Sequence, residues 1–198
     1  MLPHTGRRVQ IVIAGDGPER ERLEHLAGDL GLSERVRFLG FREDVGDLLD
    51  ASDMVVLPSL REGLSIALLE AMAAGKPIIA SSIGSQREVA AHADMARLVP
   101  PADARALCEA IVRLSADEAL MARLGRTARA VYESRYTENT MLQSYRQLYF
   151  DLLAEKCPAQ ESPAVQGYTR RAAEAPEQVG QAYSELVPTP GRPKGSIL

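Results

Sequence analysis

The stretch from Asp53 to Ala80 restricts the fold more than any other part of the chain. Asp53-Met54-Val55-Val56-Leu57-Pro58 is a short apolar run of strand type. A turn follows, then a helix that opens on Glu62-Gly63, then a second strand at Pro77-Ile78-Ile79-Ala80. Strand, turn, helix and strand make a βαβ unit, which requires a parallel pair joined by a right-handed crossover. The N-terminus of such a helix lies at the carboxyl edge of the sheet. Open α/β sheets bind ligands at that edge, and a helix N-terminus there favours phosphate.

The same alternation extends on both sides. Arg8 to Ala14 has the pattern of a strand, with Val9, Ile11 and Ile13 at alternate positions. Gly15-Asp16-Gly17-Pro18 turns into a helix over Glu19–Leu30, which places Leu23, Leu26, Ala27 and Leu30 on one face and stops at Gly31. Val36–Gly40 is the next strand, and Val45–Ala51 a short helix. After Pro101 the pattern becomes helical: Ala104–Leu114, Glu118–Glu133 and Glu138–Glu155. The prediction is an α/β fold, a Rossmann-like parallel sheet flanked by helices with a helical C-terminal region. Residues 1–156 are expected to form this domain. Residues 157–198 hold six of the twelve prolines and little apolar periodicity, so they are expected to be a disordered tail.

Composition narrows the function classes. The 198 residues are 45% hydrophobic and 25% charged with a net charge of −4, which suits a globular domain and gives no support to a nucleic-acid partner. Cys108 and Cys157 are far apart, and His4, His25 and His92 have no ligand spacing, which argues against disulfide or metal roles. No apolar run approaches the roughly 20 residues of a membrane span. Gly15-x-Gly17 after a strand partly matches a dinucleotide fingerprint, but Arg20 stands where the third glycine belongs, so an NAD site is not expected.

Glu62 and Glu70 stand out chemically. At about 1.5 Å and 100° per residue, eight steps carry Glu70 about 12 Å along the helix axis and about 80° around it, which puts Glu62 at or just before the helix N-terminus and Glu70 two turns in. That distance approximates the reach from the sugar to the ribose of a nucleotide sugar. One carboxylate would accept from sugar hydroxyls and the other from the ribose diol, while the Gly63, Leu64 and Ser65 amides meet the diphosphate. Glutamates in a first turn also arise for the helix dipole alone.

These residues resemble the donor-binding half of a retaining glycosyltransferase of the GT-B architecture, specifically family 4. The matching pieces are Pro58-Ser59, Glu62-Gly63, Glu70-Ala71-Met72-Ala73 and Gly75-Lys76-Pro77-Ile78. Ile13-Ala14-Gly15-Asp16-Gly17-Pro18-Glu19, Val36-Arg37-Phe38-Leu39-Gly40-Phe41, Ser82-Ile83-Gly84 with Glu88, and Arg97-Leu98-Val99-Pro100-Pro101 agree in order and spacing. The likeness covers roughly Arg7 to Leu153.

The resemblance implies transfer of a hexose from a nucleoside-diphosphate sugar to a glycan or lipid-linked acceptor, with retained anomeric configuration. It implies that Glu62 contacts the transferred sugar, as the catalytic position, and that Glu70 binds the ribose. Phe41 and Arg42 would meet the base, Gly15 would turn beside the donor, Ser59 and Arg61 would line the pocket, and Glu88 would brace it. No Asp-x-Asp motif is present, so no metal or other cofactor is expected. A cytoplasmic location is implied, with a peripheral place at the inner membrane face as an alternative. The last helix, with Tyr145, Tyr149 and Phe150, would either contact an N-terminal domain or pack on its own sheet.

The chain departs from the family at its start. Members place a first strand, an Arg and a Lys-Gly loop before the strand matching Val9–Ala14, and His4, Arg7 and Arg8 do not reproduce them. The resemblance includes no counterpart of the family's acceptor domain, which this chain is expected to lack. The expectation is a fragment, a truncated product or one subunit of a split transferase with an N-terminal-domain partner. Loss of a central strand would leave sheet edges unpaired and favour association or instability. Two other readings stay open: a non-catalytic nucleotide-sugar-binding subunit, and a GT-B-type sugar-nucleotide epimerase.

Overall fold

A computed structural model of the chain describes residues 9–156, with side chains through Leu152. The predicted tail, His4, Arg7 and Arg8 lie outside the described residues. In chain order the elements are β1 (Ile11–Ala14), α1 (Arg20–Asp29), β2 (Val36–Gly40), α2 (Val45–Asp50), β3 (Val55–Leu57), α3 (Ile66–Ala73), β4 (Ile78–Ser81), α4 (Gly84–Ala90), β5 (Ala96–Val99), α5 (Ala104–Ser115), α6 (Glu118–Arg135) and α7 (Glu138–Lys156). One compact unit ends at Leu142, and a second begins at Gln143 inside α7. Among the described residues, no helix is long and apolar enough to cross a membrane.

Every strand pairing is parallel, as the alternation predicts. The expected single sheet, however, is divided. β1 pairs with β2, and β3-β4-β5 form a second sheet, with no ladder among the described residues joining the two groups. β1 and β3 therefore each pair on one side only. The consequence is visible on β1, where Val12 is 49% and Ile13 36% exposed although both are apolar. α1 is affected too: Ala27 is buried, but Leu26 and Leu30, predicted as core, are exposed. A two-stranded sheet offers too narrow a face to cover the whole apolar stripe of a helix.

The core sits around β4, whose four residues are all buried. Successive residues of a strand point to opposite faces, and β4 divides accordingly. Ile78 and Ala80 pack with Leu68, Ala71 and Met72 of α3, Val89 of α4 and Ala128 and Val131 of α6. Ile79 joins Val99, Leu114 and Leu124 in a separate cluster. Helices thus cover both faces of β4, and each fully buried large side chain stabilises by about 1.5–3 kcal/mol relative to exposure.

α3 is fixed at both ends. The Ser65 Oγ accepts from the Leu68 N–H at 3.3 Å, an N-cap. At the other end Gly75 takes φ +64°. Its N–H donates to the Met72 carbonyl at 3.0 Å and the Lys76 N–H donates to the Ala71 carbonyl at 3.0 Å, the paired bonds of a Schellman cap. Lys76 Nζ then donates to the Asp50 and Ser52 carbonyls, each at 3.1 Å, tying the end of α3 to the end of α2.

Within the second unit, the Arg146 guanidinium lies 5.6 Å from the centre of the Phe150 ring. Tyr145 and Tyr149 are exposed.

Candidate functional site

The carboxyl ends of β3 and β4 lead into two neighbouring loops that converge on Glu62. The β3–α3 loop runs from Pro58 to Ser65 without regular structure, and α3 starts only at Ile66. Glu62 therefore stands in the loop, ahead of the Ser65 cap, and only Glu70 is helical. The expected helical offset between the two glutamates does not apply. The reason is local: Ser65 is a strong N-cap residue with extended backbone (φ −77°, ψ 111°), so the helix begins after it rather than at Glu62-Gly63.

Glu62 is exposed, and among the described residues its hydrogen bonds go only to α4 and the residues that open it. Ser85 Oγ donates to the Glu62 carbonyl at 3.2 Å, and Gln86 Nε2 donates to Glu62 Oε2 at 3.3 Å. Gln86 itself is 1% exposed, and its Oε1 is buried with no hydrogen-bond partner. An unsatisfied buried acceptor costs about 1–3 kcal/mol. Sequence reasoning missed Gln86, because a single glutamine on a short helix carries no spacing signal.

Between Glu62 and the first full turn of α3, the backbone N–H groups of Gly63, Leu64, Ser65, Ile66 and Ala67 are not hydrogen-bonded to any described residue. The first N–H groups of any helix lack an intrahelical partner; here the run continues back into the loop. Leu64 and Ile66, both apolar and more than half exposed, flank it. Exposed Glu70 lies in the second turn of α3, its carboxylate without a partner among the described residues. Ser59 is half-buried where β3 leaves the sheet. The loop and the start of α3 therefore carry a run of open donors, with Glu62 just before it and Glu70 just after it in the chain.

The remaining predicted residues gather on the other sheet. Gly15, at φ +125°, follows β1, and its N–H donates to the Gly40 carbonyl at 2.7 Å across the ends of β1 and β2. Phe41, next in the chain, is 76% exposed. Arg42 is bidentate to Asp44, Nε to Oδ1 at 2.7 Å and Nη2 to Oδ2 at 2.5 Å. The pairing raises the arginine above its ordinary value and holds the Asp44 carboxyl below the usual carboxylate range. No hydrogen bond or ion pair joins these residues to Glu62 or Glu70. Glu88 is exposed on α4 and makes none to Glu62; its charge instead helps burial to push the Tyr136 hydroxyl up.

A cavity of about 350 Å³ lies elsewhere, between β5 and α5, lined by Arg97, Val99, Ala106, Glu109 and Arg113 among others. It contains none of the predicted residues, and its acidic group, Glu109, is already paired with Arg105 and Arg113. The loops at the ends of β3 and β4 present the richer chemistry. Among the described residues, no group of three or more His, Cys, Asp or Glu side chains converges as a cation site.

Parallel strands joined by crossover helices define an α/β domain. The chain belongs to the family described as glycosyl transferases group 1, which it matches over residues 1–131. It is 32% identical over 146 residues to N-acetyl-alpha-D-glucosaminyl L-malate synthase from Bacillus anthracis, covering 74% of this chain and 38% of that protein. It is 38% identical over 137 residues to the lipopolysaccharide core biosynthesis glycosyltransferase LpsD of Rhizobium meliloti, covering 69% of this chain and 40% of the relative. Among solved structures, Anabaena HepE in complex with UDP-glucose superposes with a TM-score of 0.68 at 29% identity, over 72% of this chain and 41% of that one. The chain thus spans about two fifths of the length of these relatives.

Proposed function

We propose that this chain is the donor-binding portion of a retaining glycosyltransferase of family 4, which takes a hexose from a nucleoside-diphosphate sugar and passes it to a glycan or lipid-linked acceptor. The observation that carries the reading is the run of open backbone donors from Gly63 to Ala67, set between Glu62 and Glu70 in a family of sugar transferases. The solved HepE complex with UDP-glucose supports a donor of this class.

In this reading the diphosphate occupies the open amides at the start of α3. The bond between the sugar's anomeric carbon and the diphosphate breaks through an oxocarbenium-like transition state, and negative charge grows on the departing phosphate oxygen. Fixed N–H dipoles stabilise that charge without reorganising, and the α3 dipole adds to them. The acceptor oxygen bonds to the same face of the carbon, and its proton leaves with the diphosphate. Glu62 accepts hydrogen bonds from the transferred sugar and Glu70 from the ribose diol. Gly15, Phe41, Arg42 and Ser59 complete the donor pocket, and the chemistry needs no metal. The acceptor-binding portion belongs to an N-terminal domain or partner subunit, and the assembled enzyme works in the cytoplasm or at the inner membrane face.

Substituting the two glutamates tests the reading. Losing a charge-assisted hydrogen bond at Glu70 costs roughly 1.5–3 kcal/mol, about tenfold to 150-fold in nucleotide affinity. Glu70→Ala should weaken UDP, GDP or ADP by that factor, measured by calorimetry. Glu62→Ala should leave the nucleotide alone unaffected and weaken only the nucleotide sugar. Indifference to both substitutions overturns the proposal.

A further inference from the structure

We infer that Gln86 is the positioning residue for Glu62, holding its carboxylate toward the transferred sugar; the inference rests on the donor-site reading above. Glu62 stands in a loop without regular structure, on an exposed side chain that has several rotamers available to it. A carboxylate in that setting wanders unless something restrains it. Among the described residues, its only restraints come from Ser85 on its own carbonyl and Gln86 on its carboxylate.

Gln86 suits this work because it cannot wander itself. It is 1% exposed, between Ser85 and Val89 on the side of α4 that faces the core. Its amide has two orientations. With Nε2 toward Glu62 it donates to the carboxylate; rotated by 180° it would set a carbonyl oxygen against a carboxylate oxygen. The first orientation leaves Oε1 buried without a donor. A buried acceptor left without a donor is uncommon in folded proteins and calls for a reason. Here the cost on one end of the amide is offset by the bond to an ionised partner at the other, since hydrogen bonds to charged groups are the stronger kind. An apolar side chain of the same size would pack at this site without that cost. The amide is therefore better explained by what it does for Glu62 than by what it does for the core.

Fixing a sugar-facing carboxylate affects the sugar and leaves the nucleotide alone. The test titrates the full chain with UDP, GDP and ADP and with the glucose ester of each, for wild type, Gln86→Met, Glu62→Ala and the double variant. Methionine keeps the unbranched length and removes both polar ends, so folding should be preserved, and the Tm checks it. Gln86→Glu is the second variant, retaining the shape while facing Glu62 with a like charge. The expected result is that wild type binds one glucose ester more tightly than its nucleotide. Both Gln86 variants should lose about tenfold or more of that increment, with nucleotide affinity unchanged and no further loss when Glu62→Ala is added. A full increment in Gln86→Met, or equal weakening of nucleotide and ester, overturns the inference while the donor site stands. Wild type binding none of the six probes overturns the donor-site reading and this inference with it. In the ligand-free protein, the Gln86 side-chain amide NMR signals should shift in Glu62→Ala; unshifted signals overturn the contact regardless of binding.

Discussion

Gly125→Ala should destabilise the protein, although the same change in an ordinary exposed helix would stabilise it by about 1 kcal/mol. Gly125 lies buried on α6 where that helix crosses the turn ending α3. A Cβ at this position would overlap the Gly75 carbonyl oxygen and crowd the Lys76 backbone. Nothing nearby can yield by changing rotamer, because the obstacle is main chain. That main chain is fixed by the positive φ of Gly75 and the two cap bonds to Met72 and Ala71. Arg129, one turn along α6, also bonds the Ala73 carbonyl, so the helix is held to the turn. Inserting a methyl into such a contact costs typically 1–3 kcal/mol, and a backbone obstacle belongs at the upper end. Subtracting the propensity gain leaves a net loss of about 2 kcal/mol, a fall in Tm of roughly 4–8 °C for a domain of this size. Thermal unfolding followed by circular dichroism measures it. A Tm equal to or above wild type would refute the close packing of α3 on α6.

Asp94 accepts from Arg97 Nη1 at 2.7 Å and from Arg123 Nη1 at 2.9 Å, and these bonds hold its carboxyl below its ordinary value of 3.8. A depressed folded-state value means stability that is present above the ordinary value and lost as pH falls through the lower one. Side-chain exposure of 52% keeps the effect small; acid unfolding scans should show it below about pH 4, flattened in Arg97→Ala/Arg123→Ala. The edges of β1 and β3 that are unpaired among the described residues, with Val12 and Ile13 exposed, predict concentration-dependent self-association by analytical ultracentrifugation. Ile13→Lys should suppress it at little cost in Tm; a monomer at all concentrations would contradict this.

Much of the fold was legible because local signals agreed with one another. Alternating Val and Ile mark β1 and the run before Pro58 marks β3, while the side-chain caps of α5 and α6 by Asp103 and Asp117 are seen only in the structure. The missed features are those that depend on the rest of the chain. Leu26 and Leu30 form a proper apolar stripe on α1, but periodicity cannot say whether a sheet wide enough to cover it exists. The spacing of Glu62 and Glu70 singles them out in the sequence, but it does not show that α3 begins only after the Ser65 N-cap. Gln86 was invisible: its meaning comes from a neighbour 24 residues away in the chain and from burial. The two groups of site residues, Gly15, Phe41 and Arg42 on one sheet and Ser59 to Glu70 on the other, sit on elements that the sequence had assigned to one continuous sheet.

The most direct measurement is a calorimetric and thermal-shift titration of the full chain with UDP, GDP and ADP, beside Glu70→Ala. A ligand at a hundred times its dissociation constant stabilises by about 2.7 kcal/mol, well within reach of both methods. The donor-site reading predicts that one nucleotide raises the Tm of the wild type and that Glu70→Ala abolishes most of the shift. A folded wild type that binds none of the three, or a Glu70→Ala variant that binds as tightly as wild type, would contradict it.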